Sequence, residues 1–389
     1  MPPLSNRRPV RAAETLHEGE GWVVRRATPE DGPALAALLA EVPFGGSSPI
    51  VETRAPDVFA LRQHRTMEPD QAPDFYVVDH GGVIGGAASI VVRPGATAAG
   101  VVPLAHLGDL RLRPELRGGA VLPSLLRTAL EDVRVRQGAE LAVTTVVDHD
   151  HTALAPFIRR TRERFEQPMA QVASLVDLLL VPLGAVPATS LRFFGPAAHQ
   201  DLPELGAFIS ARQATRRLAE PVSIESLARE LGRIPGQRVD HTFMLRDGTG
   251  ALAGCLTVVD TGRFRRFVPQ RTTGLARVRS LGRRALGLGS QLPDDGEPAE
   301  VLWVSTLEAR GDDYARMQSL IEAVAGVHAD SPWDWLGLAL PRGPQTKALA
   351  RQLGAAVVPL SVVVLSLAGT RWNNVDFRAP RVRVNAAFL

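Results

Sequence analysis

The stretch from His106 to Leu126 constrains this 389-residue chain more than any other. Leu107, Leu110 and Leu112 read as a strand, Pro114 opens a turn, Arg117-Gly118-Gly119 make a loop, and Leu125, Leu126 and Leu130 share one face of a following helix. Paired glycines at a strand-to-helix turn let backbone amides approach a ligand closely, and the helix N-terminus adds partial positive charge, so the turn suits a pyrophosphate. Arg117 can pair with that anion through its fork of donors. The same pattern also serves many α/β chains merely as a connection between strand and helix.

At this turn the chain resembles the GNAT superfamily of acetyl-CoA-dependent N-acyltransferases, whose signature is Gln/Arg-x-x-Gly-x-Gly/Ala after a strand ending in Val-x-Pro. Leu112-Arg113-Pro114 and Arg117 to Leu122 occupy those places, with Ala120 where the family has its first motif glycine and Leu122 where it has Gly or Ala. The resemblance implies an α/β (α+β) fold of two GNAT-like domains, each a mixed, mostly antiparallel twisted sheet flanked by helices. It implies acetyl-CoA, or another short acyl-CoA, as co-substrate, with no metal. At the cofactor site Leu110 and Leu112, with Arg111 between them, would serve the pantetheine arm, Arg117 and the amides of Gly118, Gly119, Ala120 and Val121 would hold the pyrophosphate, and Leu122 would narrow the space beside them. His106 falls where the histone acetyltransferase branch places a glutamate base, and an imidazole titrates near neutrality without a large shift. Asp109 is the second candidate, as base or as anchor for a cationic amine. A solvent-satisfied strand histidine and a backbone-bonding carboxylate are the plain alternatives. Where many members carry a tyrosine acid on the helix after strand five, this chain has Phe157.

The order of elements around the turn agrees with the resemblance. Residues 1–20 lack periodicity and read as a flexible arm. Trp22 to Ala27 reads as a strand and Thr28-Pro29-Glu30-Asp31 as a helix cap, with Leu35, Leu38, Leu39 and Val42 at helical spacing beyond it. Pro43 to Ile50 is a loop, followed by a helix through Val58, Leu61 and Arg65. This region covers the acceptor in the superfamily, so Phe44 and Phe59, with Tyr76 on the next strand, are the expected substrate contacts. Asp74 to Val92 reads as a hairpin turning at Asp79 to Gly82, and Leu141 to Val147 as an apolar fifth strand.

Compared with itself, the chain repeats. Leu191 to Arg212 is again strand then helix, and His241 to Val259 again a hairpin. Ala299 to Leu307 answers strand four, and Trp333 to Leu340 strand five. In that register Asp312-Asp313-Tyr314-Ala315 stands opposite Arg117-Gly118-Gly119-Ala120, and carboxylates there would repel a phosphate. The expected organisation is an arm over 1–20, an acyltransferase domain over 21–186, a degenerate copy over 187–369 and a tail over 370–389. The degenerate copy carries an insertion over 261–297, holding eight arginines between Arg263 and Arg284 and read as a solvated or lid-forming loop.

Composition narrows the remaining options. A net charge of +3 does not by itself call for nucleic acid, and only Phe264 and Phe267 accompany the insertion's arginines, which argues against a base-stacking platform. No apolar run is long enough to span a bilayer. One cysteine, Cys255, in an apolar strand pattern, fits a buried thiol and a reducing cytoplasm. His149 and His151 lack a third metal ligand nearby. The sequence reading is therefore a cytoplasmic acyltransferase acting on a small-molecule or peptide amine, compatible with a homodimer. A non-catalytic acyl-CoA or metabolite binder and an RNA-associated protein using the insertion are the alternatives.

Overall fold

The hairpin of β1 (Thr15–Gly19) and β2 (Trp22–Arg26) begins the described part of the chain and turns through Gly21, whose φ of 76° lies in the left-handed region that glycine tolerates. Five residues expected in the arm are thus an edge strand. The computed structural model describes residues 14–43, 50–63, 74–117, 119–147, 169–185, 191–214, 216–233, 237–270, 296–367, 370, 372 and 377.

After a 3-10 turn at Pro29–Asp31, α1 (Gly32–Glu41) is followed by β3 (Ile50–Arg54) and the short α2 (Ala60–Gln63). The hairpin β4 (Asp74–His80) and β5 (Val83–Thr97) leads through β6 (Gly100–Leu112) into α3 (Val121–Gln137), β7 (Leu141–Val147) and β8 (Met169–Pro182). The second half runs β9 (Phe194–Pro196), α4 (Leu202–Gln213), α5 (Ile224–Arg233), β10 (Thr242–Arg246), β11 (Leu252–Asp260) and β12 (Arg265–Pro269). It continues as β13 (Val301–Ala309), α6 (Tyr314–Val327), β14 (Trp335–Pro341), α7 (Pro344–Gln352) and β15 (Ala356–Ser366).

Thirteen strands form one sheet in the order β1-β2-β4-β5-β6-β7-β15-β8-β14-β13-β11-β10-β9. Apart from β1, the order read inward from either end follows the same plan: a run of antiparallel strands, one parallel pair, then a closing antiparallel strand. The parallel pairs are β6–β7 and β13–β14. The closing strands are exchanged: β15, late in the chain, completes the first half beside β7, while β8 completes the second beside β14. β15 and β8 then pair with each other along eleven registered positions, so the two halves share a continuous ladder.

Alternation along each strand divides the residues between two faces. Tyr76, Val78, Ala88, Ile90, Ala105 and Leu107 lie under α3 with Leu125, Leu126, Ala129 and Leu130. Phe75, Val77 and Ala87 meet Leu35, Leu38 and Leu39 of α1 on the other face. Cys255 is fully buried in the core beneath α4 and α5, as its strand pattern implied. The insertion is not wholly a loop: β12 pairs antiparallel with β3 in a separate two-stranded sheet, which ties the second half of the chain to the first.

α3 is locked to the sheet by Asp132, whose carboxylate accepts from Arg26 Nε at 2.9 Å, Arg136 Nη2 at 2.8 Å and Tyr76 Oη at 2.6 Å. Burial alone would raise this carboxyl; the hydrogen bonds from Arg26, Arg136 and Tyr76 prevail and lower it from 3.8 to about 2. A carboxylate whose pKa is depressed by folding stabilises fully above its unfolded value, and that contribution fades as pH falls toward the folded one. Asp132→Asn is expected to lower unfolding free energy at neutral pH by about 1–3 kcal/mol. In denaturant titrations the gap to the native chain should narrow steadily below pH 4, because the native carboxylate is then losing its own advantage.

Candidate active site

The turn after β6 is built to leave amides exposed. Pro114–Leu116 makes a 3-10 turn, and Arg117 Nε donates to Leu112 O at 3.0 Å, folding the loop back on its strand. Gly119 adopts φ 65°, and nothing lies within 4 Å of where a Cβ would sit. Ala120 is the N-cap of α3 and supplies no side-chain cap, so the orphan donors of the first turn receive no acceptor from it. Val121 is buried at the foot of the helix and Leu122 packs partly against the same core. Gly118 lies outside the described residues.

Beside this turn the parallel ladder opens. β6 and β7 pair only at Leu104–His106 against Leu141–Val143, although β6 runs on to Leu112 and β7 to Val147. Past that point the two strands no longer share a ladder. A bulge in β6 turns the strand there: the register against β5 slips between Ala87 and Ser89, and Asp109 takes φ 51°. Leu110 and Leu112 pack toward the α3 core, leaving their main chain along the opening.

His106 is the last residue paired with β7 before the strands part. It is half-buried and alternates with Ala105 and Leu107, so it lies on the face opposite α3. Asp109 is buried on that face, where Oδ1 accepts from Arg54 Nη2 at 2.5 Å and Oδ2 from Ser89 Oγ at 2.6 Å. With both oxygens engaged, Asp109 anchors the bulge and is poorly suited to the expected role of base. Arg111 also departs from expectation: Nη1 donates to Leu110 O at 3.0 Å and Nη2 to Glu52 at 3.2 Å, so its guanidinium serves β3 rather than a cofactor.

The expected acceptor contacts fare differently. Tyr76 is fully buried under α3, its hydroxyl bound between Asp132 and Arg136, and burial raises its phenol far above the ordinary value. It belongs to the core and is not a substrate contact. Phe59 stacks edge-on against Phe75, ring centroids 5.1 Å apart, and packs on the α1 core. Phe44, Phe157, His149 and His151 lie outside the described residues. Sequence reasoning missed Glu52 and Arg54; the alternation Ile50-Val51-Glu52-Thr53-Arg54 is the signal that could have marked β3 as a strand with one polar face. Among the described residues, no three His, Cys, Asp or Glu side chains converge as a metal site, and no helix is long and apolar enough to cross a membrane.

The second copy of the turn is occupied by its own side chains. Asp313 caps α6, its Oδ1 accepting from Ala315 N at 2.9 Å and Arg316 N at 3.3 Å. Tyr314, in register with Gly119, places its hydroxyl 3.1 Å from Thr346 Oγ1, which in turn donates to Pro341 O at 2.6 Å. The strands β13 and β14 also part after three paired positions, but this tyrosine bridge joins the helix after one to the end of the other. Asp312 is held by Arg212 and Arg216, and Arg216 also forks onto buried Glu308 at 2.7 Å. Asp313→Ala is expected to destabilise the chain by about 1 kcal/mol in chemical denaturation, the ordinary effect of losing an N-cap. Asp132→Asn combined with it should be additive, since the two sites share no partner.

No protein-family model matches the chain, and no curated protein does. Solved structures do. Saccharomyces cerevisiae N-myristoyltransferase with bound myristoyl-CoA superposes with a TM-score of 0.61 at 10% identity, covering 92% of this chain and 85% of that one. A GCN5-related N-acetyltransferase from Sphaerobacter thermophilus gives 0.55 at 14% identity, with 90% and 96% covered. A GCN5-related glucosamine N-acetyltransferase region of a fungal multi-domain β-N-acetylglucosaminidase gives 0.56 at 14% identity, with 88% and 38% covered.

Proposed function

Taking as premise that the chain has the fold of the GCN5-related N-acetyltransferase superfamily, we propose that it is an acyl-CoA-dependent N-acyltransferase whose first half alone binds the co-substrate. It transfers a short acyl group, acetyl in the simplest case, to a primary amine of a small molecule or peptide. The observation that carries this reading is the contrast between two helix N-termini: α3 is preceded by an open left-handed Gly119 and has no side-chain cap, whereas Asp313 fills the corresponding amides of α6. An anion is favoured at the first and repelled at the second. Bound myristoyl-CoA in one structural neighbour and glucosamine N-acetylation named for another support the same class of reaction.

On this reading the amides from Gly119 to Leu122, with Arg117, hold the pyrophosphate, and the opened backbone beside Leu110 and Leu112 lines the pantetheine arm. The amine nitrogen attacks the thioester carbonyl carbon, the C–S bond breaks, and the proton shed by the amine ends on the released thiol. His106, where β6 and β7 part, takes that proton from the amine. Asp109 holds the bulge that sets the position of His106 and the strand beyond it.

Isothermal titration with acetyl-CoA and thiol release over a panel of amines test the proposal. Gly119→Asp puts a carboxylate where the phosphates belong, in a backbone conformation that penalises a side chain, and should weaken binding at least about tenfold. His106→Ala should leave binding intact and lower kcat by about 10²–10⁴-fold. Acetyl-CoA affinity indifferent to Gly119→Asp would overturn the assignment, and binding without turnover on any amine would reduce the protein to an acyl-CoA binder.

A further inference from the structure

On the face of the sheet that carries His106, five charged side chains are packed almost wholly out of water: Glu52 and Arg54 from β3, Asp109 and Arg111 from β6, and Arg265 from β12. Arg54 is their hub. Its side chain is 0% exposed, and a single nitrogen, Nη2, serves both Glu52 Oε1 at 2.7 Å and Asp109 Oδ1 at 2.5 Å. The neighbouring Nε and Nη1 are equally buried and have no hydrogen-bond partner among the described residues. Leaving a buried donor unmet costs about 1–3 kcal/mol, more when the group is charged, so a native chain seldom keeps two on one side chain without a use for them.

Among the described residues, the buried atoms of this cluster without a hydrogen-bond partner are donors on Arg54, Arg111 and Arg265 and one acceptor, Glu52 Oε1, so open donors outnumber open acceptors. Among the described residues the cluster sets three guanidinium groups against two carboxylates, and Arg54, Arg111 and Arg265 approach Glu52 at 2.7, 3.2 and 3.6 Å. Arg265 is fixed by stacking, its guanidinium 4.6 Å from the Phe267 ring centroid, so it is not a mobile surface charge. Through Asp109 the cluster is bonded to Ser89, whose strand neighbour Gly108 lies two residues from His106. Water is largely excluded, so attraction to a charge arriving beside Arg54 is weakly screened.

We infer that this cluster is an acceptor subsite, and that the amine substrate carries a carboxylate which hydrogen-bonds the open donors of Arg54. A carboxylate presents two coplanar oxygens to the planar fork of a guanidinium, the geometry that the Nε and Nη1 donors of Arg54 offer. The inference rests on the acyltransferase reading and narrows its acceptor to amino acids or other amines bearing an acid group near the nitrogen.

Two arms test it. In the first, N-acetylglycine, a product-like carboxylate, and its amide are titrated against the protein without acyl-CoA, followed by NMR or calorimetry at fixed ionic strength. The acid should bind at least about tenfold tighter than the amide, and Arg54→Lys, which keeps a cation for Glu52 and Asp109 but not the planar donors, should abolish that preference. In the second, matched amines with and without a carboxylate are compared by kcat/KM in the native chain. A native protein that binds acid and amide alike, or turns over the uncharged amine as well as its carboxylated match, overturns the subsite. So does an acid preference that survives Arg54→Lys in a folded variant. Failure of acetyl-CoA to bind while N-acetylglycine still does would defeat the acyltransferase reading and leave the anion subsite standing.

Discussion

The ladder between β8 and β15 is the constraint on which everything else in the molecule rests. Each strand closes the half to which it does not belong in sequence order, and each is then the other's neighbour. Backbone groups at the centre of the sheet are thereby paired on both sides, so neither half presents the bare edge that an isolated copy would have. The parting of β6 and β7 depends on this closure. β7 is held by β15 along its whole length, Leu141 to Val147, while its pairing with β6 ends at Val143. The strand can leave β6 without losing its place in the sheet because its other edge is fully bonded.

Within that frame the two halves differ at the turns that follow β6 and β13. The first has a small, left-handed residue before a helix without a side-chain cap; the second has Asp313 capping its helix, Tyr314 bonded to Thr346, and Arg212 and Arg216 paired with Asp312. The turn of the second half is closed by internal polar bonds. The second half also sends β12 across to pair with β3, bringing Arg265 to the side of the sheet where His106 lies. A strand of the second half is thus part of the face on which His106 lies.

Much of the fold was legible in the text of the chain, and the reasons are local. The hairpins at Asp79–Gly82 and Asp247–Gly250, the Thr28–Asp31 and Asp201–Glu204 caps, and the apolar run Leu141–Val147 each carry their own signal within a few residues. Features set by distant partners were not legible. β3 and β12 are five-residue strands whose meaning lies in each other, and the arginine-rich context of β12 disguised it as a solvated loop. The apolar pattern of Val357 to Ser366 announces a strand but not that it sits beside β7. Site residues divide the same way: the turn from Arg117 to Val121 can be read from glycine placement, whereas the engagement of Asp109 by Arg54 and Ser89, and of Tyr76 by Asp132, needs three dimensions.

The crossed closing strands carry an implication for how the molecule comes into being. Roughly 200 residues separate the end of β7 from the start of β15, a loop whose closure entropy must be met before the first half is complete. During synthesis the amino-terminal portion emerges with a strand edge that has nothing to zip to, at translation speeds of about 5–20 residues per second. That edge stays open until β15 has been made, so completion of the first half of the sheet waits on a strand encoded about 200 residues later.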